Sequence, residues 1–154
     1  MTTVYTIGHS NKPVTDLLTQ LRDAGIRTLV DVRRYPASRR HPQFNSNALR
    51  ASLREAGIDY AHAEDLGGRR EPQSDSINLA IAEGGLRGYA DYTATAQFES
   101  AAQILLGLAE RQRTAVMCAE ASPDSVAKNS SPVSPCLMMD APAAESRSKA
   151  LSTK

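Results

Sequence analysis

Short apolar runs alternate with amphipathic segments along the first 124 residues of the chain. Apolar, β-branched or aromatic runs at residues 4–8, 26–32, 58–63 and 114–119 predict four strands. Segments 13–25, 46–57 and 97–112 space their apolar residues three and four apart, which predicts three helices. Gly25 and Gly57 follow the first two helices, where glycine commonly ends a helix. Residues 69–88 are polar and glycine-rich, which is typical of a long surface loop.

The order of these elements predicts the fold class. Strands alternate with helices as β-α-β-α-β, the pattern of a parallel sheet whose connections carry helices. We therefore expect a single α/β domain over residues 1–124, with a mainly parallel sheet flanked by helices in a Rossmann-like, three-layer arrangement. Residues 125–154 have no sustained helical or strand period, and three prolines interrupt them. This segment is expected to form an irregular or disordered tail.

Composition and charge narrow the class of protein. Of the 154 residues, 41% are hydrophobic and 23% are charged, and the formal net charge is +1. No apolar run approaches the ~18 residues that span a bilayer, and the first residues lack a signal-peptide pattern. Two cysteines are too few to indicate a disulfide framework. We expect a cytoplasmic protein with no membrane partner.

Arginines cluster where the second predicted strand ends. Arg33, Arg34, Arg39 and Arg40 lie in "DVRRYPASRRHP", and no acidic residue separates them. Ligands of open parallel sheets bind beyond the carboxyl ends of the strands, and a guanidinium matches phosphate, carboxylate or sulfate. Asp31 is expected to pair with one of these arginines. The segment predicts an anion site, and the alternative interpretation is a solvated basic loop.

Three further residues are candidates for catalysis. Cys118 follows the fourth predicted strand, where backbone N–H groups and arginines favour a nucleophilic thiolate. The alternative is a small buried residue that only packs. Glu120 is a candidate general acid or base, and the alternative is an exposed carboxylate. His9, after the first strand, is a candidate for proton transfer. Alternatively, His9 is a structural hydrogen-bonding residue.

The loop after the third predicted strand, "EDLGGRR", adds a glycine pair to the basic residues. Gly67 and Gly68 permit close approach of a ligand to the backbone, and Arg69 extends the basic rim. A glycine pair in a surface loop is a weak signal by itself. The histidines are scattered, and neither a C-x-x-C nor a nucleotide-binding fingerprint occurs. The sequence predicts no metal and no cofactor.

Several spaced motifs together resemble one family. They are, in order, "YTIGHSN", "LVDVRRYPASRRHPQFN", "GIDYAHAEDLGGRR", "GLRGYADYTATAQF" and "VMCAEASPD". Over roughly residues 4–124 the chain resembles the family of domain of unknown function 488. The resemblance implies a compact α/β domain with these loops at one end of the sheet, and it names no substrate. It carries over as candidate site positions His9, Arg33, Pro36, Ser38, Gly67, Gly68, Arg69, Tyr89, Cys118 and Glu120.

The chain departs from the family pattern after about Asp124. The family typically continues there with a second cysteine in a Cys-His-Arg-like motif, then a last helix and strand, whereas this chain has "SVAKNSSP". The comparison implies that the usual last helix and strand are missing. A reading-frame slip would explain this, because one added nucleotide, with suitable codons, turns 125–132 into a peptide with cysteine and basic residues. Exposed apolar sheet surface would then favour a marginally stable or oligomeric protein.

Three functions fit these features. The first is a small enzyme that holds an anionic substrate with Arg33, Arg39 and Arg69 and attacks it with Cys118. The other candidate substrate-binding residues are Ser38, Gly67, Gly68 and Tyr89. The second is a nucleic-acid or nucleotide-binding module in which arginines contact phosphate and Tyr35 stacks on a base. A net charge of +1 argues against a large electrostatic footprint for such a module. The third is an inactive, truncated family member.

Overall fold

A computed structural model describes residues 2–119 and the short strand at residues 134–136 of the chain. The strands are β1 (Val4–Gly8), β2 (Thr28–Asp31), β3 (Asp59–His62), β4 (Thr114–Cys118) and β5 (Ser134–Cys136). The helices are α1 (Val14–Asp23), α2 (Ser46–Glu55), α3 (Gly84–Thr93) and α4 (Ala96–Arg111). The four predicted strands and three predicted helices are confirmed. No helix in the described part of the chain has the length and apolar character needed to cross a membrane.

One sheet contains all five strands in the order β3-β2-β4-β1-β5. The first four are parallel, and their carboxyl ends align: Gly8 pairs with Cys118, and Asp31 pairs with both His62 and Met117. Helices flank this parallel sheet, which confirms the predicted three-layer α/β fold. β5 adds an antiparallel strand beside β1. It belongs to the segment predicted as a tail, and the rest of 125–154 lies outside the described residues.

Two apolar clusters hold the helices against the sheet. One cluster joins α1 and α2 to the strands, with Ile7, Leu17, Leu21, Leu29, Leu49, Leu53 and Met117 buried. The other joins α4 to the sheet, with Val4, Val30, Leu66 and Leu105 buried. Successive residues of a strand point to opposite faces, so Met117 contacts the first cluster and Val116 the second. The sheet is therefore the middle layer, and the loops after β1, β2 and β3 leave it at one edge.

α3 is a helix that the hydrophobic pattern does not predict. It begins with two glycines and contains a third, and each glycine costs a helix about 1 kcal/mol relative to alanine. Gly88 is buried, and a Cβ there would lie 2.1 Å from the carbonyl oxygen of Arg70. Tyr89 and Tyr92 pack edge-to-face on Phe98 of α4. Tertiary packing thus stabilises a segment whose composition is typical of a loop.

Candidate functional site

A buried ion pair lies at the carboxyl end of β2. Asp31 is fully buried, and its carboxylate accepts hydrogen bonds from Arg33 Nε at 2.8 Å and Arg33 Nη2 at 2.6 Å. The Tyr60 hydroxyl on β3 donates to the same carboxylate at 2.9 Å. Burial and then the negative charge of Asp31 raise the pKa of Tyr60, so the phenol stays protonated as a donor. The expectation that Asp31 pairs with one of the arginines is confirmed, and that arginine is Arg33.

Arg33 uses most of its N–H donors inside the protein. Besides the bonds to Asp31, its Nη2 donates to the carbonyl oxygen of Phe44 at 2.7 Å and its Nη1 donates to His9 Nε2 at 3.3 Å. A guanidinium has five N–H bonds, so the hydrogen bonds among the described residues leave one on Nη1. Arg33 therefore organises the site and has a single N–H for a ligand.

His9 is buried and held as a neutral imidazole. Its Nδ1 lies 2.8 Å from the carbonyl oxygen of Ser10, an acceptor, so Nδ1 carries the hydrogen. Its Nε2 faces Arg33, which can only donate, so Nε2 keeps its lone pair. Burial lowers the pKa of His9, and the positive charge of Arg33 lowers it further. The hydrogen bond to Ser10 raises this pKa, but the net shift is downward. If His9 is to transfer protons through Nε2, which the sequence suggested, Arg33 Nη1 must first move away.

His9 and Arg33 form part of the wall of a cleft of about 500 Å³. The loops after β1, β2 and β3 build this wall, and Ala119 adds the first residue after β4. Eleven of the described residues line the cleft; three of these are arginines, two are histidines and none is aspartate or glutamate. Among the described residues the one ion pair joins Arg33 to Asp31. The other two lining arginines, Arg40 and Arg69, therefore keep uncompensated charges within this part of the chain.

Hydrogen bonds hold the arginine-rich loop after β2 in place. The Ser38 N–H donates to Asn45 Oδ1 at 2.5 Å, and the Ser38 hydroxyl oxygen accepts from the His41 N–H at 3.0 Å. The Ser46 N–H donates to the carbonyl oxygen of Pro36 at 3.0 Å, which ties the loop to the start of α2. These bonds place Ser38 and His41 on the cleft wall.

The loop after β3 brings Arg69 to the cleft. A Cβ on Gly67 would lie 2.4 Å from the carbonyl oxygen of Val32, so glycine is required for the loop to pass this close to the end of β2. A Cβ on Gly68, in contrast, would meet no described atom within 4 Å. The carbonyl oxygen of Arg69 accepts a hydrogen bond from Arg34 Nη1 at 2.8 Å. Gly67 thus permits the approach, and Arg34 fixes the backbone of Arg69.

Two cleft residues have left-handed backbone conformations. Ser10 has φ 44° and Arg69 has φ 58°, and they are the two non-glycine residues with positive φ in the described part of the chain. Both line the cleft. Left-handed conformations cost non-glycine residues roughly 1–2 kcal/mol and concentrate at functional sites. The strain is therefore located in the parts of the loops after β1 and β3 that line the cleft.

Cys118 lies beside the cleft, and it is not among the residues that line it. It is exposed, and its carbonyl oxygen accepts a hydrogen bond from the His9 N–H at 3.3 Å. Strand alternation places its side chain on the same face as Val116, which packs with α4. The His9 ring instead stacks on Phe44, which belongs to the cluster of α1 and α2, with 4.4 Å between ring centroids. The strand end thus separates the thiol from the imidazole.

The predicted site residues fall into three groups. His9, Arg33, Ser38 and Arg69 line one cleft. The second group does not line the cleft and consists of Arg39, Gly67, Gly68, Tyr89 and Cys118. The third group is Glu120, which lies outside the described residues. Arg39 is exposed on the loop after β2. The Tyr89 hydroxyl donates to the carbonyl oxygen of Leu66 at 3.0 Å, which supports the loop that carries Arg69.

Three residues of the site were not predicted: His41, Phe44 and Tyr60. His41 lines the cleft, Phe44 stacks on His9 and Tyr60 donates to Asp31. His41 directly follows the arginine pair in "RRHP", so its place in the basic segment was a signal that could have identified it. The partners of Phe44 and Tyr60 depend on loop folding and on strand register, which no local pattern reveals. Within the described residues, no group of three or more His, Cys, Asp or Glu side chains could hold a metal ion.

The fold and the cleft define an α/β domain with an arginine-lined cleft at the carboxyl ends of its parallel strands. The chain belongs to the family described as domain of unknown function DUF488, whose model matches residues 13–127. This confirms the resemblance inferred from the motifs. The matched range contains the loops after β2 and β3 and Cys118, and it begins after His9. No curated protein and no solved structure matches the chain.

Proposed function

We propose that the protein binds a small anion, or the anionic group of a larger molecule, in the cleft at the carboxyl ends of the strands. One observation carries this proposal: three arginines and no acidic residue line the cleft among the described residues. The buried Asp31 neutralises Arg33 alone, so the charges of Arg40 and Arg69 are left for a ligand. Guanidinium groups bind phosphate, sulfate and carboxylate through paired, charge-assisted hydrogen bonds.

Neutral donors of the cleft complement the arginines. The Ser38 hydroxyl oxygen accepts a bond from His41, which leaves its hydrogen to donate. The backbone N–H groups of Ser10 and Asn11 donate to no acceptor among the described residues. Successive N–H groups in a turn form concave anion-binding surfaces. An anion in the cleft would therefore meet two uncompensated charges and several fixed dipoles.

Isothermal titration calorimetry with inorganic phosphate tests the proposal. The wild-type chain should show saturable binding at one site in low salt. Replacing both Arg40 and Arg69 with glutamine should weaken the affinity by about tenfold or more, because each removes a charge-assisted hydrogen bond. The control is Arg22→Gln, an exposed arginine in the last turn of α1. Binding that is absent, or equal in the double variant and the wild type, would overturn the proposal.

A second candidate function is nucleophilic chemistry by Cys118 on the bound anion. The observation that favours it is the exposure of Cys118 directly before Ala119, a residue of the cleft wall. An exposed thiol at a strand end is accessible to a ligand held by the neighbouring loops. Cys118→Ser should then abolish turnover of a substrate while phosphate still binds. In a Cys136→Ser background, saturating phosphate should slow alkylation of Cys118; an unchanged rate would place the thiol away from the ligand.

A further inference from the structure

The charges on the cleft wall constrain the charge of the ligand. Arg33 forms a neutral pair with Asp31, whose side chain is fully buried and whose two oxygens accept from Arg33 and Tyr60. His9 is neutral because Arg33 donates to its Nε2. The guanidinium groups of Arg40 and Arg69 form no ion pair with a described residue. Two uncompensated arginine charges therefore remain on the wall of this part of the structure.

We infer, resting on the proposed anion site, that the cleft selects the dianionic group of a phosphate monoester over singly charged phosphodiesters and carboxylates. A terminal phosphate carries close to two negative charges near pH 7 and presents three acceptor oxygens. Those charges match Arg40 and Arg69, and the remaining N–H of Arg33 serves the third oxygen. A diester has one charge and two non-bridging oxygens, so it leaves one arginine uncompensated.

The size of the cleft bears on what carries the phosphate. A volume of about 500 Å³ exceeds the volume of the phosphate group itself and lies in the usual range of small-molecule sites. Tyr35 lines the same cleft and is 61% exposed, so its ring is accessible to a sugar or a base. Free phosphate and a phosphorylated metabolite share the chemistry that the arginines recognise, and the probes must separate these two sources.

Calorimetry with matched probes at pH 7.5 and constant ionic strength tests this inference. AMP and 3′,5′-cyclic AMP share adenosine and differ in carrying a monoester or a diester. AMP should bind about tenfold tighter or more, and the single variants Arg40→Gln and Arg69→Gln should each reduce this preference. Ribose 5-phosphate and inorganic phosphate then show whether the site takes free phosphate or a phosphorylated metabolite. Equal affinities of ribose 5-phosphate and phosphate support a site for phosphate itself, and tighter binding of AMP supports a nucleotide site.

The outcomes separate this inference from the proposed function. If AMP and cyclic AMP bind equally, and both lose affinity in the double variant of Arg40 and Arg69, the anion site stands and the preference for a dianion is wrong. If none of the four probes binds, both are wrong. The Arg22→Gln control should keep the preference for AMP, and loss of the preference there would also overturn the inference, because that arginine lies on α1 outside the cleft wall.

Discussion

Arg33 Nη1 lies 3.3 Å from His9 Nε2, and this contact joins the end of β2 to the end of β1. A guanidinium can only donate, so the contact exists while the imidazole keeps a lone pair at Nε2. Protonation of His9 would place two donors face to face beside a buried arginine that Asp31 holds from the other side. The charge state of His9 is therefore coupled to the geometry of the cleft.

The stability of the protein should fall as the pH drops below 6.5, in part through His9. Its pKa is lowered from 6.5 in the folded state, so below pH 6.5 the unfolded chain binds a proton that the folded chain does not. This contribution is complete above pH 6.5 and is lost as the pH falls towards the folded-state pKa. Urea denaturation at pH 7.5, 6.5 and 5.5 should show a smaller loss for His9→Gln than for the wild type. An equal loss of stability in His9→Gln and in the wild type would show that His9 does not contribute to the pH dependence.

Asp31→Asn should destabilise the fold strongly. The substitution leaves Arg33, whose side chain is 8% exposed, without its anionic partner. Breaking a buried ion pair by removing one member typically costs about 3–5 kcal/mol. Asp59→Asn is the matched control, because Asp59 is exposed on the neighbouring strand β3. Chemical denaturation measures both free energies of unfolding, and a loss for Asp31→Asn no larger than that of the control would show that the pair is not structural.

The two adjacent glycines should respond differently to alanine. Gly67→Ala places a Cβ 2.4 Å from the Val32 carbonyl oxygen, so the loop must move, at a cost of roughly 1–3 kcal/mol. Gly68→Ala meets open space and should be neutral, or stabilising by about 0.4–1 kcal/mol through the unfolded state. Thermal melts of the two variants compare them directly. A destabilisation of Gly68→Ala as large as that of Gly67→Ala would contradict the described path of the loop.

The neighbouring arginines Arg39 and Arg40 should differ in their effect on ligand binding. Arg40 lines the cleft and Arg39 does not, although both are exposed. Arg40→Gln should weaken the affinity for phosphate about threefold to tenfold, while Arg39→Gln stays within about twofold, the range expected from a solvent-screened charge that does not contact the ligand. Because each variant changes the net charge equally, the comparison separates contact from overall electrostatics. Equal weakening by both would assign the binding to the general charge of the loop.

The sequence predicts the fold well because its evidence is local. Periodicity and glycine positions identify β1 to β4 with α1, α2 and α4, and the alternation of strands with helices implies a parallel sheet. α3 is missed because Gly88, which lowers helix propensity, is required by a contact with Arg70 that is distant along the chain. Local pattern and tertiary packing disagree at that helix, and packing prevails.

The sequence predicts where the candidate site lies better than it predicts the hydrogen bonds within it. Motifs at strand ends identify His9, Arg33, Ser38 and Arg69, which do meet in one cleft. The sequence does not reveal how Arg33 is used. Four of its five N–H donors bond to Asp31, His9 and Phe44, so Arg33 mainly organises the site. These pairings depend on strand register and on how the loop after β2 folds back, which are tertiary properties.

A crystal structure of the protein soaked in tungstate, a tetrahedral dianion, tests the central claim most directly. The crystal form should leave the cleft open to solvent, and the anomalous signal of tungsten locates the ion without ambiguity. We expect a peak within hydrogen-bonding distance of the Arg33 Nη1 donor and of the guanidinium groups of Arg40 and Arg69. An empty cleft, or tungstate bound only elsewhere on the surface, would contradict the proposal that this cleft is an anion site.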